Sequence, residues 1–234
     1  MKLGFYTSQP HSCSYLSNRQ SSTLFADPQA VLDNEIYSQL IEQGFRRSGE
    51  YLYRPDCAAC DACIPLRIPV AEFVPNRSQR RTWRLNKEIT VTALPACYSD
   101  EQFQLYQRYL HNRHLGGEMD SPTPESYLAF LTSSWSDTLF YEFRLEQKLV
   151  AVAVADQLHS GLSAVYTFFD PEYAARSPGN YAILWLIQET RRRSLSWLYL
   201  GYWIEECKKM AYKNQYQPFE IYRKERWKMT RKRK

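Results

Sequence analysis

Three cysteines at equal spacing are the first residues of this chain whose types could do chemistry. Cys57, Cys60 and Cys63 form a C-x2-C-x2-C run, a spacing that serves zinc sites and iron–sulfur clusters alike. Either group needs a fourth ligand, and Cys13 in "HSCSYL" is the candidate. The four thiols could also be unliganded and simply packed in the interior, and the sequence leaves both interpretations open.

A cationic segment follows the cysteines. In "PNRSQRRTWR", Arg77, Arg80, Arg81 and Arg84 occur three and four residues apart with no acidic residue among them. On a helix this spacing puts them on one face, as a basic stripe. Guanidinium groups bind carboxylate and phosphate through two parallel hydrogen bonds. We therefore predict that Arg77, Arg80 and Arg81 bind substrate, the alternative being a solvated helix face without a ligand.

The elements that must position these residues indicate an α+β chain in two parts, residues 1–98 and 99–234. Hydrophobic spacing in the first part predicts a helix over 27–44, a strand over 64–70, a helix over 76–86 and a strand over 89–95. Pro65 and Pro69 favour a sheet edge for the strand that contains them. The second part is predicted to contain two helices, three consecutive strands over 138–145, 148–158 and 161–169, a helix over 179–194, a strand over 197–203 and a helix over 204–213.

This order of elements in the second part resembles the acyltransferase fold of the GCN5-related N-acetyltransferases. In that fold a Gln/Arg-x-x-Gly-x-Gly/Ala loop at a helix start holds the pyrophosphate of coenzyme A. The corresponding segment here is "ARSPGNYA", in which Arg176 and Gly179 keep half of the pattern and the second glycine is absent. The departure disfavours coenzyme A, while Arg176 stays a candidate for binding substrate.

The end of the third predicted strand carries the candidate catalytic residues, because the acyl-transfer cleft of such folds lies at that point. Asp170 is the candidate base or proton relay, and Tyr166 is the candidate hydrogen-bond donor. The same "DPEY" segment suits a type I turn, whose first two positions favour Asp and Pro. A turn role and a catalytic role can coincide at Asp170.

The charge of the chain is concentrated at its C-terminus. The net charge is +5, and residues 221–234 contribute eight Lys or Arg and one Glu, leaving −2 on the other 220 residues. Such a tail predicts a polyanionic partner, most simply nucleic acid, or else a frayed end that aids solubility. No segment approaches the ~20 apolar residues of a membrane span, and the N-terminus lacks the apolar core of a signal peptide. We therefore expect a cytoplasmic protein without a membrane partner.

Four motifs in combination resemble the arginyl-tRNA–protein transferase family, and in particular its bacterial aspartate/glutamate leucyltransferase branch. They are "GFRRSG", C-x2-C-x2-C-x-P-L-R, "RSQRR" and "YLGYWI", and the similar segments extend over nearly the whole chain in family order. Eukaryotic relatives have a further cysteine where this chain has Pro10, so their reported cluster binding carries over only in part, most nearly to Cys13 and Cys63.

The resemblance implies a cysteine-containing N-terminal half and an acetyltransferase-like C-terminal half. It implies transfer of leucine from leucyl-tRNA to proteins with N-terminal Asp or Glu, which marks them for the N-degron pathway of degradation. The ester donor is already activated, so the transfer requires no cofactor, although zinc or an iron–sulfur cluster could occupy the cysteine site. On this interpretation the arginine stripe binds the acceptor carboxylate and the basic tail binds tRNA.

Two other functions fit parts of the sequence. A coenzyme-A-dependent N-acyltransferase fits the fold resemblance but not the incomplete glycine loop. A non-catalytic zinc-ribbon protein that binds nucleic acid explains the cysteines and the tail, but it leaves the acyltransferase-like half without a role. The sequence alone does not distinguish leucine from arginine as the donated residue.

Overall fold

The computed structural model describes residues 3–113 and 121–230, whose secondary structure is mixed α+β as predicted. The elements of the first part are β1 (Phe5–Thr7), β2 (His11–Ser12), β3 (Gln20–Ser21), β4 (Thr23–Ala26), α1 (Asn34–Glu42), β5 (Arg46–Ser48), β6 (Tyr51–Pro55), β7 (Ile64–Pro69), α2 (Arg77–Leu85) and β8 (Ile89–Pro95). Those of the second part are α3 (Asp100–Arg113), α4 (Pro124–Leu131), β9 (Asp137–Leu145), β10 (Lys148–Gln157), β11 (Gly161–Phe169), α5 (Pro178–Arg192), β12 (Trp197–Trp203), α6 (Lys208–Ala211), β13 (Phe219–Arg223) and β14 (Arg226–Thr230). Two 3-10 turns, Pro171–Arg176 and Tyr212–Gln215, precede α5 and follow α6.

Eight of the described strands form one large sheet in the order β14-β13-β7-β12-β11-β10-β9-β8. The three consecutive strands predicted from the sequence are its antiparallel meander β9-β10-β11. The predicted strand over 197–203 is β12, which pairs in parallel with β11 and antiparallel with β7. The sheet is therefore mixed, and its one described parallel pair lies near the middle.

β7 lies inside this sheet, although its prolines predict an edge strand. β12 pairs with β7 along its whole length, whereas β13 reaches only Leu66 and Arg67. Pro65 and Pro69 fall outside the short pairing with β13, so their missing N–H groups remove no hydrogen bond on that side. The edge prediction is wrong because β13 pairs with β7 at only two residues, neither of which is a proline.

Helices cover both faces of the large sheet. Successive side chains of a strand point to opposite faces, and β10 shows the consequence. Ala151 and Ala153 pack in the core beneath α5, while Val152 and Val154 pack with the apolar residues of α3 and α4. Both faces of β10 are therefore covered, by α5 on one side and by α3 and α4 on the other.

The first helix is shorter than the sequence predicts. Asp33, not Asp27, is the N-cap of α1, and its Oδ1 accepts a hydrogen bond of 2.7 Å from the Ile36 N–H. Asp27 instead accepts a hydrogen bond from the Gln29 N–H in a turn. α1 packs against a second sheet of order β1-β4-β6-β5. The final predicted helix is shorter too, because α6 is followed at once by a 3-10 turn.

The helix predicted for the arginine stripe is α2. A reciprocal capping box fixes its start: the Gln79 N–H donates to Asn76 Oδ1 at 3.0 Å, and the Asn76 N–H donates to Gln79 Oε1 at 2.9 Å. Such a box satisfies two backbone donors that a helix start otherwise leaves free. α2 packs on α5, with the Trp83 ring 5.4 Å from that of Tyr181.

The described part of the basic C-terminal tail is a β-hairpin. β13 and β14 pair antiparallel and extend the large sheet beyond β7. Residues 231–234, the last of the predicted tail, lie outside the described residues.

Strands from both predicted parts of the chain share the large sheet, since β7 and β8 precede residue 98. The division into 1–98 and 99–234 stays a prediction. None of the described helices has the length and apolar character needed to cross a bilayer.

Candidate active site

The parallel neighbours β11 and β12 pair over three residues and then separate. Gly161–Ser163 pair with Trp197–Tyr199, and both strands continue beyond this point without a described pairing to each other. The register of β12 against β7 shifts between Tyr199 and Gly201, where Gly201 has φ +74°. This left-handed backbone favours glycine and marks a bulge. The separation opens a cavity between the two strands.

The guanidinium of Arg46 occupies the gap between β11 and β12. Its Nη2 donates a hydrogen bond of 2.7 Å to the Ala164 carbonyl oxygen, on the first residue of β11 beyond the pairing. A Cβ atom on Gly201 would lie 1.7 Å from Arg46 Nη1. Gly201 therefore provides both the bulge and the space, and the separated strands provide a free carbonyl that holds the guanidinium.

The cavity has a volume of about 550 Å³, within the usual range for small-molecule sites. β11, β12, the first turn of α5 and the 3-10 turn after α6 form most of its walls. Its described lining includes four basic side chains, those of Arg46, Arg47, Arg113 and Lys213, and no Asp or Glu. Such a surplus of positive charge favours an anionic or electron-rich group.

Arg47 does not contribute free charge to the cavity, because it is paired inside the protein. Its Nη2 lies 2.6 Å from Asp156 Oδ1 and its Nε donates to Asp156 Oδ2 at 2.8 Å, with both side chains fully buried. The Tyr37 hydroxyl and the Thr138 hydroxyl also donate to this carboxylate. A buried bidentate pair of this kind is a structural element, although Arg47 Nη1 has no hydrogen-bond partner within the described residues. The cations left for a ligand are Arg46, Arg113 and Lys213.

Lys213 is a buried amine in the cavity wall. Its Nζ donates a hydrogen bond of 2.8 Å to the Tyr202 carbonyl oxygen. The pKa of Lys213 is lowered to about 7, chiefly by burial and then by the positive charge of Arg46, against smaller opposite effects of Cys207 and Cys63. A substantial fraction of this amine is therefore neutral near pH 7 and can accept a proton.

Hydrogen-bond donors for a developing oxyanion lie on two other walls. Tyr166 lines the cavity, and burial raises the pKa of its phenol, so the group keeps its proton. The first turn of α5 reaches the cavity at Gly179 and Asn180, and its N-cap Ser177 makes no side-chain capping bond. Helix starts leave backbone N–H groups free and carry partial positive charge. Both groups can stabilise negative charge on a substrate oxygen.

Asp170, the predicted base, lies beyond the end of β11 and outside the described cavity lining. Its Oδ1 accepts a hydrogen bond of 3.1 Å from the Glu172 N–H, and its Oδ2 lies 3.5 Å from Arg108 and 3.6 Å from Lys148. This carboxylate caps the turn before α5 and is held by two cations. The geometry favours the turn role that "DPEY" predicts, and a catalytic role for Asp170 stays a prediction.

The arginine stripe is formed as predicted, but the structure does not bring it to the cavity. Arg77, Arg80 and Arg81 are exposed on α2, and none of them lines the cavity between β11 and β12. Arg80 and Arg84 instead border a groove of about 390 Å³ between α2 and α5. A role of these arginines in binding substrate stays a prediction.

Two side chains of the segment that would hold coenzyme A, those of Arg176 and Tyr181, make contacts within the protein. Arg176 donates a hydrogen bond of 2.7 Å to the Leu85 carbonyl oxygen, at the end of α2. Tyr181 stands where the second small residue of the acetyltransferase pattern would be, and it is buried against Trp83 and Phe143. These contacts agree with the sequence in disfavouring coenzyme A, and a role of Arg176 in binding substrate stays a prediction.

The four predicted metal ligands line one second cavity, of about 560 Å³: Cys13, Cys57, Cys60 and Cys63. Burial and the neighbouring thiols raise the pKa of Cys63 to about 12. However, no group of three His, Cys, Asp or Glu within the described residues is arranged to hold a metal ion. Cys60 Sγ instead accepts a hydrogen bond of 3.2 Å from Arg19 Nη1.

The thiols thus share a cavity without forming a ligand set in this arrangement. Zinc or an iron–sulfur cluster at this place stays a prediction, and no step of the reaction considered below uses such a group. The second cavity shares a wall with the first, since Tyr15, Tyr53 and Tyr202 line both. The segment with the cysteines therefore supports one side of the candidate active site.

Sequence reasoning missed the cations that the cavity contains. Arg46 belongs to "GFRRSG", a motif noted only for its family resemblance, and Lys213 was placed at the end of a predicted helix without a role. The tandem arginines in that motif were the available signal. The two arginines have different roles, because Arg47 pairs with Asp156 and Arg46 binds the Ala164 carbonyl oxygen between two strands. Both partners are more than a hundred residues away in the sequence.

Curated relatives cover almost the whole chain. An "Aspartate/glutamate leucyltransferase" of Alcanivorax borkumensis is 54% identical over 226 residues, which is 97% of this chain and 93% of that protein. A protein of the same name from Pseudomonas putida KT2440 is 52% identical, over 97% of this chain and 96% of its own length.

Among solved structures, a C-terminal DUF2156 domain of Agrobacterium fabrum, assigned to a lysylphosphatidylglycerol synthetase, aligns with a TM-score of 0.53 and 14% identity. The alignment covers 80% of this chain and 62% of that chain. Identity this low shows similarity of fold alone.

Two family descriptions match the chain in its own order. Residues 11–81 match "Arginine-tRNA-protein transferase, N terminus". Residues 101–223 match "Arginine-tRNA-protein transferase, C terminus". Together with the identity to curated relatives, these matches establish that the chain belongs to the arginine-tRNA–protein transferase family.

Proposed function

We propose that this chain transfers leucine from leucyl-tRNA to the N-terminal Asp or Glu of proteins and thereby marks them for the N-degron pathway. Relatives at 52–54% identity over nearly the whole chain carry the name of this activity. Leucyl-tRNA is a substrate of translation, so the reaction belongs in the cytoplasm.

The observation that carries the proposal is the cavity between β11 and β12. It combines an apolar wall with three cations that form no ion pair within the described residues, and no described lining residue is acidic. Its position at separated parallel strands, beside the start of α5, supports an arrangement of the GCN5-related type, in which donor and acceptor meet over a splayed sheet. An acidic acceptor and an ester donor both match this electrostatic character.

The reaction needs one bond formed and one broken. The free α-amine of the acceptor attacks the ester carbonyl carbon of leucyl-tRNA, an amide C–N bond forms, and the ester C–O bond breaks. The terminal ribose oxygen leaves and takes a proton. The acceptor first has to lose its ammonium proton, which the neutral amine of Lys213 can accept, while Tyr166 and the first turn of α5 can donate to the oxyanion. Positioning of the two substrates supplies much of the remaining rate.

The lining supports leucine over arginine as the donated residue. Its apolar part can bury an isobutyl group and is formed by Phe130, Val165, Ile183, Leu200 and Met210. An arginyl group would bring a further positive charge next to Arg46 and Arg113 without a described carboxylate in the lining to pair with it. Such a charge costs several kcal/mol when it is desolvated without a partner.

The α2 stripe suits the tRNA part of the donor. Arg77, Arg80 and Arg81 are exposed, with no ion-pair partner within the described residues. Trp83, on the same helix, is 38% exposed beside the groove that Arg80 lines. Guanidinium groups bind the phosphates of nucleic acids, and exposed aromatic rings stack on the bases of single strands. We therefore assign the stripe to tRNA phosphates.

One transfer assay tests this function against its rivals. Labelled leucyl-tRNA is mixed with peptides that differ only in an N-terminal Asp, Glu or Asn, and parallel reactions contain arginyl-tRNA or acetyl-coenzyme A. We expect label on the Asp and Glu peptides from leucyl-tRNA. Acetyl transfer in its place would establish the coenzyme-A-dependent enzyme, and tRNA binding without transfer to any peptide would establish a non-catalytic nucleic-acid-binding protein.

A further inference from the structure

We propose that Arg46 binds the side-chain carboxylate of the acceptor and so determines the preference for N-terminal Asp and Glu. The inference rests on the transfer function proposed above and concerns the same cavity. It replaces the α2 stripe, whose arginines do not line that cavity, as the group that recognises the acidic side chain.

The position of Arg46 fits this role. In Asp and Glu the side-chain carboxylate is only a few bonds from the α-amine, so the group that binds the carboxylate has to lie in the cavity where the amine reacts. Arg46 lies there, between β11 and β12, close to the amine of Lys213 whose proton affinity it lowers. The arginines of the α2 stripe do not line that cavity and fail this requirement.

The bonding of Arg46 leaves donors free for a ligand. Its Nη2 is held by the Ala164 carbonyl oxygen, and no carboxylate within the described residues forms an ion pair with this guanidinium. Its Nη1 packs against Gly201, where any side chain would clash with the guanidinium. A half-buried guanidinium with one fixed donor is preorganised, which gives a carboxylate two-point binding at low entropic cost.

The other cations of the cavity are less suited. Arg47 is held in a buried bidentate pair with Asp156, which leaves only its Nη1 without a hydrogen-bond partner within the described residues. Arg113 is exposed at the end of α3, where its guanidinium lies 5.7 Å from the Tyr109 ring centre. Lys213 already donates to the Tyr202 carbonyl oxygen, and a lysine offers a point charge without the fork.

The test is a ratio of acceptor preferences within one enzyme preparation. Peptides with N-terminal Asp, Glu and Asn are compared at fixed, saturating leucyl-tRNA for the wild type, Arg46→Gln, Arg46→Lys and Arg113→Gln, which tests the rival arginine of the same cavity. A site built to bind a charged group discriminates against an analogue that lacks the charge. We expect Arg46→Gln to lower the Asp-to-Asn ratio of kcat/KM by about tenfold or more.

The Asp-to-Asn ratio of kcat/KM is informative even if a variant is partly unfolded. Both values are measured on the same preparation, so the fraction of active enzyme cancels in the ratio. Arg46→Lys is expected to retain part of the preference, and Arg113→Gln to retain it in full. Equal losses for Asp, Glu and Asn in Arg46→Gln would overturn the inference, as would a flattened ratio in Arg113→Gln alone. If the wild type transfers leucine to none of the peptides, the proposed function itself fails, which is a separate result.

Discussion

At the scale of single residues, Lys213 couples the candidate active site to the stability of the fold. Its pKa is lowered from the usual 10.5 to about 7, first by burial and then by Arg46. Between these two values the unfolded chain binds a proton that the folded chain does not, so stability rises with pH by up to about 1.4 kcal/mol per pH unit. Lys213→Met should remove this rise, and at neutral pH and below it should make the fold more stable. The measurement is the free energy of unfolding in urea from about pH 7 to about pH 10.

An exposed lysine nearby provides the control for this prediction. Lys208 lies on α6 and is exposed, so Lys208→Met should keep the pH dependence of the wild type. All three proteins contain the same tyrosines, which titrate near the upper end of this pH range. Their effect therefore cancels when the pH slopes of the free energy of unfolding are compared between proteins. Equal pH slopes for the wild type and Lys213→Met would show that the buried amine stays charged.

At the scale of elements, the C-terminal hairpin corrects the simplest interpretation of the basic tail. The Trp227 Nε1–H donates a hydrogen bond of 2.9 Å to the Glu42 carbonyl oxygen. The Arg67 guanidinium lies between the rings of Trp197 and Trp227, 3.7 Å and 4.3 Å from their centres. The hairpin is therefore part of the packed structure, and cutting the chain within it removes more than charge.

Two truncations separate these contributions. Deleting 231–234 removes four positive charges beyond β14, and it should leave Tm unchanged while raising the KM for leucyl-tRNA. Deleting 219–234 also removes β13 and β14, and it should lower Tm by several degrees because the sheet loses two strands and the Trp227 contacts. Thermal unfolding and initial-rate kinetics on both proteins provide the comparison. An unchanged Tm after the longer deletion would show that the hairpin does not stabilise the fold.

The sequence predicted those elements whose signals are local. Apolar runs separated by turn signals located β9, β10, β11 and β12, and the Asn76–Gln79 capping box that starts α2 is a local signal of the same kind. The candidate site was missed because its parts are remote in sequence. Arg46, Ala164, Gly201 and Lys213 meet only because of the order of strands in the large sheet and the separation of β11 from β12.

At the scale of the whole molecule, the two substrates are assigned to different surfaces. The acceptor is assigned to the cavity between β11 and β12, and the tRNA backbone is assigned to α2, whose arginines lie outside that cavity. α5 contacts both regions, because its first turn lines the cavity and the helix packs against α2. A variant of the stripe should therefore change tRNA binding without changing the choice of acceptor.

Salt dependence tests this separation. Each lost phosphate contact should reduce the slope of log KM for leucyl-tRNA against log salt concentration by about one. The double variant Arg77→Ala with Arg81→Ala should accordingly raise KM at low salt and flatten the slope, while the Asp-to-Asn acceptor ratio stays at the wild-type value. Arg192→Ala is the matched control, since Arg192 is exposed but paired with Glu189 at 2.7 Å. A flattened slope in this control as well would indicate a general effect of net charge, and a changed acceptor ratio in the double variant would return the stripe to the acceptor site.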